Sequence, residues 1–234
     1  MAGVLTIAAA AHAGVLVADD FNDNALDTSK WWVNTSGIPQ SGARVEEINQ
    51  HIELTGRGHL ATVDEVDPTQ GPVGLRITGE WTFVSGDDFF QVLTRSDAQP
   101  AGNWGETANG IEFQAMAHNE SFTIRSRGPA GVSSVAVDKS AAFNIAGGDT
   151  FAFTITDFGD DLSFLLTHVN EPDNWAAATA YSTTSRDDNY IVFHNREAGR
   201  RSNLDNVRID LVPEPATVGL LGLATVTLLR RRRR

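Results

Sequence analysis

The chain has 234 residues, 41% of them hydrophobic, and no cysteine, which excludes disulfides, thiol chemistry and sulfur-bound zinc. Its net charge is −12, yet its last five residues are arginines. Without these and Glu214, the 18 basic and 30 acidic residues fall to 13 and 29, so that residues 14–212 carry a net charge of −16. A region this acidic repels nucleic acid and anionic lipid, which argues against both as its partners.

Residues Val4 to Ala11 form a short apolar run that ends in Ala11-His12-Ala13. Small residues at the first and third positions before a cut are those that signal peptidase accepts. We therefore expect residues 1–13 to be a signal peptide, cleaved after Ala13, and the protein to be exported. No Lys or Arg precedes the run, so either the signal is weak or the natural translation start lies upstream of Met1, and we expect the second.

Alternation of apolar and polar residues with a period of two dominates residues 14–211, and helical periodicity is nearly absent. The clearest predicted strands are His51–Thr55, Phe151–Ile155 and Leu162–Leu166, the last two joined by a Gly/Asp turn at 157–161. Many short strands without intervening helices are typical of an all-β, antiparallel two-sheet sandwich. We expect one such domain over residues 14–211, with further strands at Leu75–Phe83, Phe89–Thr94, Ile111–Met116, Phe122–Arg125, Val132–Val137, Tyr190–His194 and Val207–Leu211.

Two segments, Asp19–Trp31 and Leu204–Asp210, lie at the two ends of this domain. They resemble the opening and closing segments of concanavalin-like jelly rolls, a group that includes the family 16 glycoside hydrolases. The resemblance implies that the first and last strands pair, and that a structural calcium ligated by Asp20 and Asp205 lies where they meet. Calcium prefers such oxygen ligands. We expect no required cofactor, and calcium is the one candidate. The alternative is that both aspartates cap strand ends in solvent.

Two segments, 110–117 and 65–70, could be remnants of the paired carboxylates of a retaining glycosidase, which stand about 5–5.5 Å apart. The family 16 hydrolases place the pair on one strand as Glu-x-Asp-x-x-Glu. Here Glu112 fits the first position, but Gln114 replaces the aspartate and Ala117 the second glutamate. In the segment 65–70 the first two carboxylates, Glu65 and Asp67, fit, but Gln70 replaces the second glutamate and Pro68 would interrupt a strand. No catalytic residue is therefore predicted, which favours a non-catalytic protein without excluding an enzyme.

Aromatic side chains in loops are candidates for stacking on sugar rings, and Trp104 and Trp175 both follow an asparagine in loop-like sequence. The alternative for both is partial burial at the base of a loop. Trp31, Trp32 and Trp81 lie in strand-like sequence and are expected in the core. The histidines show no metal-ligand spacing and are expected to be surface or strand residues: His51, His59, His118, His168 and His194.

The tail, residues 212–234, contains Pro213-Glu214-Pro215, the uncharged run Ala216–Leu229 and a terminal arginine cluster. As a helix, the run would be about 21 Å long, short of the roughly 30 Å hydrocarbon core of a bilayer. Local thinning and snorkelling of arginine can close this gap, so we expect a transmembrane-type helix. Arginines beside an apolar run stay in the cytoplasm, which places the domain outside. The cluster consists of Arg230, Arg231, Arg232, Arg233 and Arg234.

This tail resembles the PEP-CTERM sorting signal, which combines a Pro-Glu-Pro motif, a short apolar helix and an arginine cluster. The resemblance implies that Pro213, Glu214 and Pro215 are recognised by exosortase, a membrane protease-transpeptidase of Gram-negative bacteria that make exopolysaccharide. It also implies an inner-membrane anchor before processing, and a place at the cell surface or in the extracellular matrix afterwards. A plain tail anchor is the alternative.

Two hypotheses for function follow from these patterns. The first is an exported, non-catalytic surface or matrix protein whose jelly-roll domain either binds glycans, with extracellular polysaccharide as the partner, or simply packs into extracellular material. The alternative is an exported carbohydrate-active enzyme related to the concanavalin-like glycoside hydrolases.

Overall fold

The computed structural model describes residues 14–35, 42–66, 73–85, 88–99, 109–128, 131–183, 189–195 and 200–213. The predicted signal peptide, Trp104 and the tail from Glu214 onward lie outside these ranges. The described residues form strands and one turn of 3-10 helix, Ala117–Asn119. In chain order the strands are β1 (Gly14–Asp19), β2 (Trp31–Asn34), β3 (Arg44–Ile48), β4 (His51–Thr55), β5 (His59–Thr62), β6 (Val73–Phe83), β7 (Phe89–Ser96), β8 (Gly110–Met116), β9 (Ser121–Arg127), β10 (Ser133–Lys139), β11 (Thr150–Phe158), β12 (Asp161–His168), β13 (Trp175–Tyr181), β14 (Tyr190–His194) and β15 (Arg201–Pro213).

These strands form two antiparallel sheets. The nine-stranded sheet has the order β10-β13-β12-β11-β6-β15-β4-β3, with β1 also paired to β15. The six-stranded sheet has the order β2-β5-β14-β7-β8-β9. The predicted all-β sandwich is therefore confirmed, and so is the pairing of the opening strand with the closing one. The β11–β12 hairpin is also as predicted, although its turn is tighter, because Phe158 already pairs with Asp161.

The two sheets pack face to face through a core of aromatic rings. Phe164 of the nine-stranded sheet stacks on Phe90 and Phe122 of the six-stranded sheet, with ring centroids 5.1 and 4.3 Å apart. Trp81 meets the same Phe90 edge-on at 5.0 Å. Burying one such side chain stabilises the fold by about 1.5–3 kcal/mol. Apolar and polar residues alternate along the strands because one side of each sheet must supply these rings to the core.

A buried ion pair joins the sheets at one end of the sandwich. Arg95, at the end of β7, donates to both carboxylate oxygens of Asp157 on β11, at 2.9 and 2.6 Å, and both side chains are fully buried. Thr94 also donates to Asp157, while Arg95 donates to the carbonyl of Gly159 in the β11–β12 turn. A single residue of one sheet therefore fixes a strand and a turn of the other.

The predicted C-terminal helix, 216–229, lies outside the described residues. Among the residues that are described, no helix is long and apolar enough to cross a membrane. Strand β1 begins at Gly14 and β15 ends at Pro213, so the last strand contains the first proline of the Pro-Glu-Pro motif.

Candidate functional site

The six-stranded sheet has one face in the core and one face turned away from it, which we call the outer face. On β8, Ile111, Phe113 and Ala115 belong to the core, so the residues between them, Glu112 and Gln114, lie on the outer face. The same alternation places every second residue of the other five strands there.

Strand pairing aligns polar residues of the outer face in one line across the whole sheet. Asn34 pairs with His59, and His59 with His194. His194 and Gln91 each lie one residue beyond the paired Phe193 and Val92, and Gln91 in turn pairs with Gln114. We call this line, which ends where Gln114 pairs with Thr123, the polar row: Asn34, His59, His194, Gln91, Gln114 and Thr123.

The next line of the outer face is apolar at one end and charged at the other. Ala61, Val192 and Leu93 pair successively across β5, β14 and β7, and form a small cluster against which Trp32 and Tyr190 pack. Beyond Leu93 the line continues through Glu112 to Arg125. The outer face therefore combines two aromatic side chains, a row of amides and imidazoles, and a charged end.

Glu112 is the centre of the charged end and its side chain is fully buried. One carboxylate oxygen accepts hydrogen bonds from Gln91 Nε2 and Arg125 Nη2, both at 2.6 Å. The other oxygen accepts from Arg127 Nε. Both oxygens are thus held by donors, two of them cationic. This arrangement orients Glu112 as an anchor for its neighbours rather than as a free nucleophile.

Several buried amide atoms of the outer face have no hydrogen-bond partner among the described residues. They are both polar atoms of the Gln114 amide and the amide oxygen of Gln91. Each such buried atom costs about 1–3 kcal/mol unless another group pairs with it. Buried amides aimed at one face are therefore typical of a surface that binds a polar molecule or ordered water.

His59 and His194 lie side by side in the polar row, with ring centroids 5.1 Å apart. Burial lowers the pKa of His59 to about 4, an effect that the carbonyl of Asn34 opposes and the positive charge of Arg127 reinforces. At neutral pH the ring is uncharged, so it can both donate and accept a hydrogen bond.

Asp20 and Asp205 lie near a second place, the end of the β1–β15 pairing, where Asp19 pairs with Val207. Burial raises the pKa of Asp205, while the backbone N–H of Asn206 and nearby His51 oppose this shift and the charge of Asp20 adds to it. A cavity of about 620 Å³ beside them is lined by Asp20, Asn22, Asp23 and Lys30, among others. Within the described ranges, no three His, Cys, Asp or Glu side chains converge as metal ligands. A cation here would therefore need amide or backbone oxygens in addition.

Of the two tryptophans expected to stack on sugars, the structure describes Trp175, which lies away from the outer face. Trp175 begins β13 and is half-buried on the outer side of the nine-stranded sheet, and Trp104 is outside the described residues. The prediction for the remaining tryptophans is confirmed for Trp31 and Trp81, which are core residues. It is wrong for Trp32, which is on the outer face because it alternates with the buried Trp31.

Sequence reasoning also missed most of the outer face: only Gln114 of the polar row and Glu112 of the charged end drew attention, through their spacing. His59 and His194 are adjacent in space but 135 positions apart in the chain. One pattern in the sequence could have indicated such residues: a polar residue at an outward-facing position of an otherwise apolar strand. His194 in the strand Tyr190–His194 is an example.

Comparison with known proteins identifies the tail and the fold. Residues 211–234 match the PEP-CTERM protein-sorting motif. No curated protein sequence matches the chain significantly. The motif implies an exported protein that is processed by exosortase and has a membrane-anchored carboxyl tail before processing.

The solved structures that resemble this chain are jelly-roll sandwiches. Lectin I-B4 from Griffonia simplicifolia, in a metal-free form, has a TM-score of 0.55 at 10% identity, covering 86% of this chain and 99% of its own. Arcelin-5, a lectin-like defense protein from Phaseolus vulgaris, has a TM-score of 0.55 at 10% identity, with 82% and 96% covered. An endo-1,3-beta-glucanase from Streptomyces sioyaensis has a TM-score of 0.51 at 10% identity, with 86% and 97% covered. The chain is thus a two-sheet β-sandwich of the jelly-roll type that carries a PEP-CTERM sorting motif at its carboxyl end.

Proposed function

We propose that this protein is a non-catalytic glycan-binding protein of the cell surface or extracellular matrix, and that it binds extracellular polysaccharide on the outer face. The observation that carries the proposal is the set of buried, unpartnered amide atoms of Gln91 and Gln114 in the polar row. Most buried polar atoms in native proteins are paired with another group or with ordered water, so these atoms are available to the hydroxyl groups of a ligand.

The composition of the outer face suits a sugar chain. A pyranose ring has hydroxyl groups around its edge and C–H groups on its faces. The amides of the polar row and the neutral imidazole of His59 can donate to and accept from hydroxyls, since each carries both kinds of atom. Trp32 and Tyr190, one line away, offer aromatic surface to the C–H face.

The same geometry favours binding over hydrolysis. A retaining glycosidase needs two carboxyl groups about 5–5.5 Å apart. Among the described strand residues of the outer face there is one carboxylate, Glu112, and both of its oxygens already accept hydrogen bonds. The alternative of an exported carbohydrate-active enzyme has no comparable support.

The sorting motif supports the proposed location. An exosortase substrate is expected to pass the inner membrane of a Gram-negative bacterium and to lose its signal peptide to signal peptidase. It is then held by its tail until exosortase acts, and remains at the cell surface or in the matrix. The polysaccharide that such bacteria export is then the glycan nearest to the outer face.

We also infer that calcium joins β1 to β15 through Asp20 and Asp205, as the resemblance to jelly rolls implies. The support is that the negative charges of two nearby carboxylates, Asp20 and Asp205, repel each other. A bound cation would reduce this repulsion. Backbone and Asn22 oxygens are the further ligands that such an ion would need.

Retention of the purified full-length protein on a panel of immobilised polysaccharides tests the glycan proposal. Gln114→Leu should weaken retention by about 3–10-fold, the equivalent of one or two lost hydrogen bonds. It should also leave the melting temperature unchanged or higher, because an unpaired buried amide is replaced by an apolar group of similar size.

Two tryptophan variants provide the matched comparison. Trp32→Ala should reduce retention, and Trp175→Ala, on the other sheet, should not. The reverse result would move the ligand to the nine-stranded sheet and refute the proposal. Release of reducing ends from any retained polysaccharide would instead support the enzyme.

A further inference from the structure

The charged end of the outer face has an excess of positive charge. Glu112 brings one negative charge, and Arg125 and Arg127 bring two positive ones. The Arg127 side chain is 17% exposed, and its Nη2 is buried without a hydrogen-bond partner among the described residues. Among the described residues, one guanidinium charge is therefore not balanced by a carboxylate, and where it is buried this is unfavourable unless an anion compensates it.

This excess contrasts with the rest of the domain. Residues 14–212 carry a net charge of −16, so the overall field repels polyanions, and the local charge acts only at short range. The lone Nη2 of Arg127 lies on β9, beside the strand that carries Gln114. A ligand that pairs with both must carry an anionic group next to hydroxyl groups.

We propose that the outer face recognises a glycan that contains carboxylated sugars of the uronic acid type, with one carboxylate bound by Arg127 and the neighbouring hydroxyls by the polar row. Guanidinium binds carboxylate with planar, charge-assisted hydrogen bonds, which a neutral hydroxyl cannot replace. This inference rests on the proposed glycan-binding function and specifies the class of sugar.

The test compares polymers that differ only in the carboxylate. Polygalacturonate and alginate are each immobilised as the free acid and as the esterified form, and retention of the full-length protein is measured at 0.15 M salt, where the Debye length is about 8 Å. We expect the acid form of at least one polymer to be retained about tenfold or more strongly than its ester.

Arg127→Gln should remove this preference by weakening retention on the acid form about tenfold while leaving the ester form unchanged. Arg125→Gln is the matched control, since the Arg125 side chain is 38% exposed and its guanidinium already donates to Glu112, and it should change the preference less. Melting temperatures of both variants identify any loss that comes from misfolding.

Equal retention of acid and ester forms, or a preference that survives Arg127→Gln, would overturn the inference. Binding of neutral polysaccharides alone would also overturn the inference. If Gln114→Leu weakened that binding, the glycan-binding function would still hold. Failure to bind every polysaccharide, neutral or acidic, would refute the function itself.

Discussion

The ion pair between Arg95 and Asp157 provides the sharpest test of what holds the two sheets together. Asp157→Ala removes the carboxylate but leaves the guanidinium fully buried, with the carbonyls of Gly159 and Ser182 among its remaining acceptors. Removal of one partner of a buried pair costs about 3–5 kcal/mol. For a domain of this size, each kcal/mol lowers the melting temperature by about 2–4 °C, so we expect a fall of about 10 °C.

Thermal and urea unfolding followed by circular dichroism measure this effect. Asp210→Ala is a matched control. Both carboxylate oxygens of Asp210 also accept hydrogen bonds from one arginine, Arg208, but this pair lies on the exposed side of β15. It should cost no more than about 1 kcal/mol. The double variant Arg95→Met with Asp157→Leu should recover most of the loss, since no buried charge remains. If Asp157→Ala and Asp210→Ala cost the same, the ion pair does not join the sheets.

Three further outcomes are expected. The pKa of His59 is about 4 in the folded protein and 6.5 otherwise. As pH falls from 6.5 to 4 the unfolded chain therefore gains a proton that the folded protein does not, and stability drops by about 3 kcal/mol. If the free energy of unfolding changed with pH equally in the wild type and in His59→Gln, a neutral buried ring would be contradicted. A calcium chelator should lower the melting temperature by about 5–10 °C in the wild type but not in Asp205→Ala, and an unaffected wild type would leave Asp20 and Asp205 as ordinary strand-end residues. In the native host the intact mass should correspond to a protein that begins at Gly14 and has lost residues 230–234; an abundant terminal arginine peptide would exclude this processing.

The sandwich could be predicted from the sequence because most strands have one buried face. The strands His51–Thr55 and Tyr190–His194 have the predicted bounds, and the hairpin formed by Phe151–Ile155 and Leu162–Leu166 lies within β11 and β12. Strand β13 was not predicted, because its alanines have low strand propensity, and it forms through pairing with both β10 and β12. Strand β5 was missed because all four of its residues are buried and no alternation marks it.

The site was much less predictable, since it depends on register rather than on local pattern. Glu112 and Gln114 are two positions apart, so their common face could be predicted from the strand period alone. The histidine pair depends on where β5 and β14 align, and a shift of one residue would turn both side chains into the core. Arg127 was not singled out, because its importance arises from the carboxylate on the neighbouring strand.

The end of β15 has a consequence for how the tail is handled. Pro213 is paired with Val73 of β6, and two residues earlier Leu211 is paired with Gly14 of β1. The sorting motif therefore begins inside the sheet, with no spacer between the domain and its signal. A protease that binds this part of the chain as an extended peptide must first break the pairing of the end of β15 with β6 and β1. The stability of a few terminal hydrogen bonds, and not only the motif, then sets how quickly the protein can be released.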